Sequence, residues 1–197
     1  MTDQNTPRLE TDRLILRKFA PKDLQALLRI YGDRQANTYL PWFPLRTERE
    51  AQALLEQKYL AGYARPTGYL YAVCRKERDV PVGYVHLGVE EPYDLGYGLR
   101  RAFWGRGLAA EAARAVIARA RADGVPYLTA THDVDNPRSG AVMKKLGMRY
   151  QYSYREQWQP KDIPVVFRLY QLNLDGQERV YQGYWQASKQ HFVEEDV

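Results

Sequence analysis

The sequence predicts one mixed α/β domain over residues 1–197, from three observations. Short apolar runs bounded by turn residues read as strands, and capped stretches with apolar residues three and four apart read as helices. The two kinds interleave as strand, two helices, three strands, helix, strand, helix, two strands, the order of a mixed sheet with helices packed on it. The chain has 197 residues, 45% hydrophobic and 13% aromatic, enough for a substantial core.

Residues 13–19 (RLILRKF) are the first strand. Pro21 suits the first turn of a helix carrying Leu24, Leu27, Leu28 and Tyr31 on one face. Residues 39–44 (YLPWFP) cannot be helical through their prolines and expose Trp42 and Phe43 in a loop. Thr47, with Glu50 three residues on, forms a capping box and opens a helix with Ala51, Leu54, Leu55 and Tyr59 inward. Residues 68–76 and 80–89 flank ERD as an antiparallel hairpin, and 94–101 (DLGYGLRR) is a third strand, broken by Gly96 and Gly98.

A helix then runs from Leu108 to Ala122, turning Ala109, Ala112, Ala113, Val116, Ile117 and Ala120 to one side; Gly124 and Pro126 end it. Residues 126–132 form a strand. Asn136 caps the next helix, Pro137 takes its first position and Gly147 closes it. Residues 147–158 and 163–174 make a second hairpin around QPKD, and the tail after Asp175 is expected to hold a helix.

Composition narrows the function. A mean hydropathy of -0.61 and the lack of any apolar run near 18 residues argue against a membrane span. The first residues hold no apolar signal core, and the lone cysteine, Cys74, can form no internal disulfide, so a cytoplasmic protein is expected. The net charge of +5 and pI near 9.2 invite a nucleic-acid reading. The arginines are spread among 24 acids, however, and a phosphate-bearing small ligand suits the charge equally well. His86, His132, His191 and Cys74 lie too far apart for a metal motif, so no metal is expected.

The sharpest local signal is FWGRGLAAEAARAV at 103–116, two glycines opening an alanine-rich helix. Glycine costs a helix roughly 1 kcal/mol against alanine, so something else holds it there. A phosphate loop needs Lys and Ser or Thr after the second glycine, where Leu108 and Ala109 stand. Gly105, Gly107 and Ala110 match a dinucleotide pattern, with Asp133 after the next strand, but residues 100–104 separate it from the strand it should leave directly.

DLGYGLRRAFWGRGLAAEA (94–112) followed by THDVDNPRSGAVMKKLGM (131–148) resembles the GNAT acyltransferase superfamily, and within it the RimJ/RimL-type N-acetyltransferases. ETDRLILRKF near the start and YLPWFP fit that branch. The likeness runs from Leu9 to Leu174 and leaves 175–197 as a C-terminal extension. It implies a central, mostly antiparallel seven-stranded sheet with splayed middle strands, flanked by about four helices. It further implies transfer of an acetyl group from acetyl-CoA to a primary amine, on a peptide N-terminus or a small molecule, by direct attack on the thioester. A non-catalytic acetyl-CoA sensor and a nucleic-acid-binding protein are the alternatives. The partner expected is the amine acceptor, with a homodimer left open and neither membrane nor nucleic acid expected.

The resemblance also suggests roles. The helix start offers unpaired amides and a positive dipole end, and Gly105 and Gly107 let a pyrophosphate reach the amides of residues 105–109. Leu99, Arg101, Gly105, Arg106, Gly107, Leu108, Ala109, Asn136, Ser139 and Lys144 are the expected cofactor contacts, with Gly96 and Gly98 clearing a path for the pantetheine arm. Ala102 stands where the family often has Gln or Arg, with Arg101 one place earlier. A lysine-type amine is neutral roughly once in 2,000 at pH 7 and an α-amine about one time in ten, so a base helps the former more. Asp94 and His132 are the candidate bases. The family's usual tyrosine acid is missing near Val142, which leaves Ser139 or water. Tyr39, Trp42 and Phe43 on one side, and Tyr152 and Tyr154 with Tyr150 and Trp158 on the other, are the candidate acceptor walls; the three tyrosines are expected on one strand face.

Overall fold

Successive side chains of a strand point to opposite faces, and in the computed structural model, which describes residues 5–197, both faces of the first sheet are covered. That sheet is antiparallel and ordered β1 (Leu9–Glu10), β2 (Leu14–Arg17), β3 (Tyr69–Arg75), β4 (Arg78–Leu87), β5 (Leu95–Leu99). Tyr71, Val73, Val85 and Leu87 pack with α4 (Leu108–Ala122) on one side. Ala72, Cys74 and Tyr84 pack on the other with Leu27, Ile30 and Tyr31 of α1 (Leu24–Tyr31) and with Leu55 and Tyr59. The last two residues belong to a π-helical turn, Leu55–Leu60, that continues α2 (Glu48–Leu54) into α3 (Ala61–Tyr63). The capping box is formed: the Glu50 amide donates to Thr47 Oγ1 at 3.2 Å and the Thr47 amide to Glu50 Oε2 at 3.0 Å.

A second antiparallel sheet, ordered β6 (Tyr127–Asp133), β8 (Ile163–Asn173), β7 (Arg149–Trp158), β9 (His191–Phe192), carries α5 (Pro137–Lys145) after β6 and α6 (Gly183–Ala187) in the tail. Alanines 110, 112, 113 and 120 bring α4 close to the shared core, where Leu128, Ala130 and Tyr170 of this sheet meet it. The two sheets join between β5 and β6 through one parallel bridge, Asp94 to Thr129. The Thr129 amide donates to the Tyr93 carbonyl (3.3 Å) and its hydroxyl to the Pro92 carbonyl (3.0 Å), after which the strands part. The expected seven-stranded sheet with splayed middle strands is therefore realised as two sheets. Among the described residues β1 and β9, of two residues each, are additional strands, and α3 and α6 raise the helix count.

The three tyrosines of β7 do not share a face. A bulge at Gln151 shifts the register, so Tyr150 opposes Tyr170 while Tyr152 opposes Leu169 and Tyr154 opposes Phe167. Nor is the Tyr152–Tyr154 face open, as expected of an acceptor wall. Tyr152 donates to the Tyr181 carbonyl at 2.7 Å and meets Trp185 edge-on, and Tyr154 stacks on Tyr184 with centroids 5.0 Å apart. The tail covers them, leaving 2% and 4% of each exposed. It is held by β9 and by Glu194, which pairs with Arg168 and accepts from Ser153. Truncating such a buried ring costs about 3–5 kcal/mol, so Tyr154→Ala should lower the unfolding free energy by an amount of that order, read as a lower urea midpoint. An unchanged midpoint with a raised acceptor KM would instead mark Tyr154 as a substrate contact.

Candidate active site

Gly107 caps α4 in the left-handed region (φ 73°), and Gly105 two residues earlier has φ 72°. A Cβ at Gly105 would meet nothing within 4 Å, and one at Gly107 only Arg13 at 3.7 Å, so backbone conformation rather than crowding requires the glycines. The two turns leave the amides of residues 105–110 without a partner among the described residues; the first paired donor is Glu111, whose amide bonds the Gly107 carbonyl at 3.0 Å. Glu111 also anchors the helix start, accepting from Thr11 (2.5 Å) and from Arg13, whose Nη1 reaches the Arg106 carbonyl at 3.0 Å. A row of free amides, the positive end of a 15-residue helix and the guanidinium of Arg13 beside exposed Arg106 suit a diphosphate. Leu108 is buried and Ala109 half-buried, so at these positions the backbone is what faces outward.

Other expected contacts are placed differently. Arg101 is turned away from these amides: its guanidinium bonds Gln35 and its amide Asp33, both in the loop after α1. Leu99 lies in the core with its carbonyl accepting from Trp104 Nε1 at 2.7 Å. Asn136 makes no side-chain cap, contrary to the expectation, because its backbone (φ -113°, ψ 65°) departs from the usual capping geometry; its side-chain amide has no hydrogen bond among the described residues. Arg138 lies over the Trp104 ring at 5.5 Å, which ties the start of α5 to the turn before α4. Lys144 is exposed.

Tyr97 was not anticipated. Its hydroxyl reaches from β5 to the Ser139 carbonyl (2.9 Å) and lies 3.1 Å from Ser139 Oγ, spanning the place where the sheets part. Burial pushes its pKa above the usual phenol value, so it remains protonated. A tyrosine is thus present at this junction, contributed by the strand rather than by α5.

Alternation turns Asp94, Gly96 and Gly98 to the α1 and α2 side. A Cβ at Gly96 would strike His86 Nε2 at 2.2 Å and one at Gly98 the Tyr84 ring at 2.6 Å. These glycines therefore accommodate the two rings of β4. Asp94 Oδ1 is buried without a partner, and burial pushes the carboxyl up to about 6. His132, the other candidate base, lies beneath α5: its Nδ1 bonds the Asp133 carbonyl at 2.7 Å and its Nε2 abuts Gly140. Desolvation lowers its pKa. Trp42 is half-buried rather than exposed, packing on Tyr31 and donating to Asn37 at 3.1 Å; Phe43 is 59% exposed and Tyr39 half-buried.

Residues 13–149 match the acetyltransferase (GNAT) domain. The protein described as uncharacterized N-acetyltransferase YnaD of Bacillus subtilis is 28% identical over 161 residues, 79% of this chain and 88% of that protein. A GNAT-family acetyltransferase structure from Bacillus anthracis has a TM-score of 0.74 at 21% identity and covers 85% of this chain and 99% of its own. RimL, a ribosomal L7/L12 α-N-protein acetyltransferase solved with coenzyme A, has a TM-score of 0.72 at 18% identity, covering 85% and 97%. The chain belongs to the GNAT acetyltransferase family, an N-acetyltransferase of a family that uses acetyl-CoA. The matched span contains both glycine turns, Asp94, Tyr97 and Ser139 and excludes the tail that covers β7.

The glycine turns yield a direct test. Gly107→Val places a branched Cβ at φ 73° and should weaken CoA binding at least tenfold, about 1.4 kcal/mol, in calorimetric titration. Gly124→Ala, strained alike at φ 83° beyond the far end of α4, should lower the melting temperature and leave CoA affinity unchanged. Equal CoA affinity in the two variants would move the diphosphate site elsewhere.

Proposed function

We propose that the chain transfers acetyl from acetyl-CoA to a primary amine, with the donor held at the starts of α4 and α5 and the amine presented from the α1 and α2 side. The observation that carries this reading is Asp94: a buried carboxylate with an unpartnered oxygen, on the acceptor face, at the point where β5 leaves β6. The amides of residues 105–109 with Arg106 and Arg13 would hold the diphosphate, and the free side chain of Asn136 would meet the pantetheine arm. Arg138 and Lys144 would flank the 3′-phosphate. Acetyl-CoA, when bound, supplies the thioester carbonyl that the amine attacks.

The chain's own groups divide the proton work. Asp94 Oδ1 accepts the proton that an incoming ammonium must lose, and its elevated pKa keeps it a usable base near neutrality. Tyr97, protonated and bonded to Ser139, holds a proton across the parting from Asp94, where a leaving thiolate requires one. It would fill the role for which the sequence offered Ser139 or water, and a tyrosine at this place supports a catalytic reading over a non-catalytic sensor. A peptide N-terminus and a small-molecule amine both remain acceptors of this chemistry.

Asp94→Asn should lower kcat by about 10²–10⁴-fold with CoA affinity retained. In the parent, kcat/KM should rise as pH increases through about 6, the pKa of the buried carboxyl, and then level; the variant should lack this rise. The sign for stability is the reverse. A carboxyl whose pKa is raised on folding stabilises the native state when protonated, and this contribution is lost as pH rises through about 6. At pH 8 Asp94→Asn should therefore melt at the parent's temperature or higher. A slow, destabilised variant would assign Asp94 a packing role instead.

A further inference from the structure

We infer that the amine acceptor also carries a carboxylate, received by Lys58 within a cage of four aromatic rings. The inference rests on the acceptor side proposed above and narrows its substrate class.

Lys58 lies in the π-helical turn after α2, a backbone geometry that recurs at functional sites. Its Nζ sits 5.8 Å from the centroid of Tyr31, 5.6 Å from Trp42, 5.7 Å from Tyr59 and 5.7 Å from Tyr84. Aromatic faces attract an ammonium but offer no lone pair to its three N–H groups. Among the described residues no carboxylate pairs with it and no acceptor oxygen takes its protons, and burial lowers its pKa to about 8. Lysine chains in such positions usually extend to water; this one is half-buried, with its ammonium held among the four rings.

A second unpartnered group lies beside it. His86 stacks on Tyr84 at 5.7 Å, one wall of the cage, and its Nδ1 is buried without a hydrogen bond. Burial, reinforced by the Lys58 charge, pushes the imidazole down to about 3, so the ring is neutral. The cage and its flank thus combine one cation, one neutral ring nitrogen and apolar rings. A carboxylate matches this combination: one negative charge for one positive, and oxygens that accept from both Lys58 and a His86 N–H. A phosphate dianion would bring a charge that nothing here neutralises.

Position supports the same reading. The cage is built from α1, the 39–44 loop and β4, the surfaces facing the acceptor side, and His86 lies over Gly96, two residues along β5 from Asp94. A carboxylate at Lys58 would hold one end of the acceptor while the amine at its other end meets Asp94.

The test is acetyl transfer to matched pairs, free ω-amino acids against their amides and aminoacyl-glutamate dipeptides against their diamides, which also separates small acceptors from acidic peptide ends. The free acids should exceed the amides at least tenfold in kcat/KM. Lys58→Met should erase that preference with amide rates and CoA affinity retained, Lys58→Arg should keep part of it, and melting should be unchanged or improved in Lys58→Met, which removes a half-buried charge without an ionic partner. Equal rates for acids and amides, or a preference that survives Lys58→Met, would overturn the inference and leave the acetyltransferase reading intact. Calorimetry with the N-acetylated acids and amides gives an answer independent of turnover. Selective binding of the acids, lost in Lys58→Met, supports the carboxylate site even without transfer, which would then count against the catalytic proposal alone; equal or absent binding overturns it.

Discussion

The bridge between Asp94 and Thr129 is the constraint on which the rest of the molecule turns. It holds two sheets in register at one end, with Thr129 donating to both Tyr93 and Pro92, and beyond it nothing pairs β5 with β6. A strand that loses its neighbour inside a covered core leaves backbone groups facing a cleft. The common core beneath, from Leu95 and Leu99 through the alanine face of α4 to Leu128 and Tyr170, keeps the sheets from closing. Tyr97 crosses the gap to Ser139, so the chain spans its own parting with a hydroxyl pair.

The two sides of that parting are electrically different. On the proposed donor side the charge is carried by helix amides and by Arg13 and Arg106 near solvent, where unpaired N–H groups cost little before a ligand arrives. On the proposed acceptor side Asp94 and His86 have buried polar atoms unmatched, and Lys58 sits among aromatic rings without an ionic partner among the described residues. Groups in that condition oppose folding, and burial shifts each toward its neutral form. Their concentration on one face is the arrangement expected where a site is built to receive a polar ligand rather than to hold the fold.

The sequence by itself determined the elements whose signals are local. Thr47 and Glu50 cap their helix as their spacing requires, Gly105 and Gly107 take the positive φ that only glycine adopts cheaply, and the order of strands and helices follows the apolar pattern. Asp94 could be named as a candidate base because it opens a strand at the start of the family motif.

Tertiary structure decided the rest, because it depends on residues distant in sequence meeting in space. A single-residue bulge at Gln151 reversed the facing of Tyr150, which no periodicity announces. The tail folded over Tyr152 and Tyr154 and made a core of what read as an open wall. His132 and His86 look alike as isolated histidines; packing put the first beneath α5 and the second beside Lys58. Gly96 and Gly98 proved to be space for neighbouring rings, since a missing Cβ records that something is close without saying what. Nothing in the sequence singles out Lys58; Tyr31, Trp42, Tyr59 and Tyr84, from four segments, meet around its ammonium only in the fold.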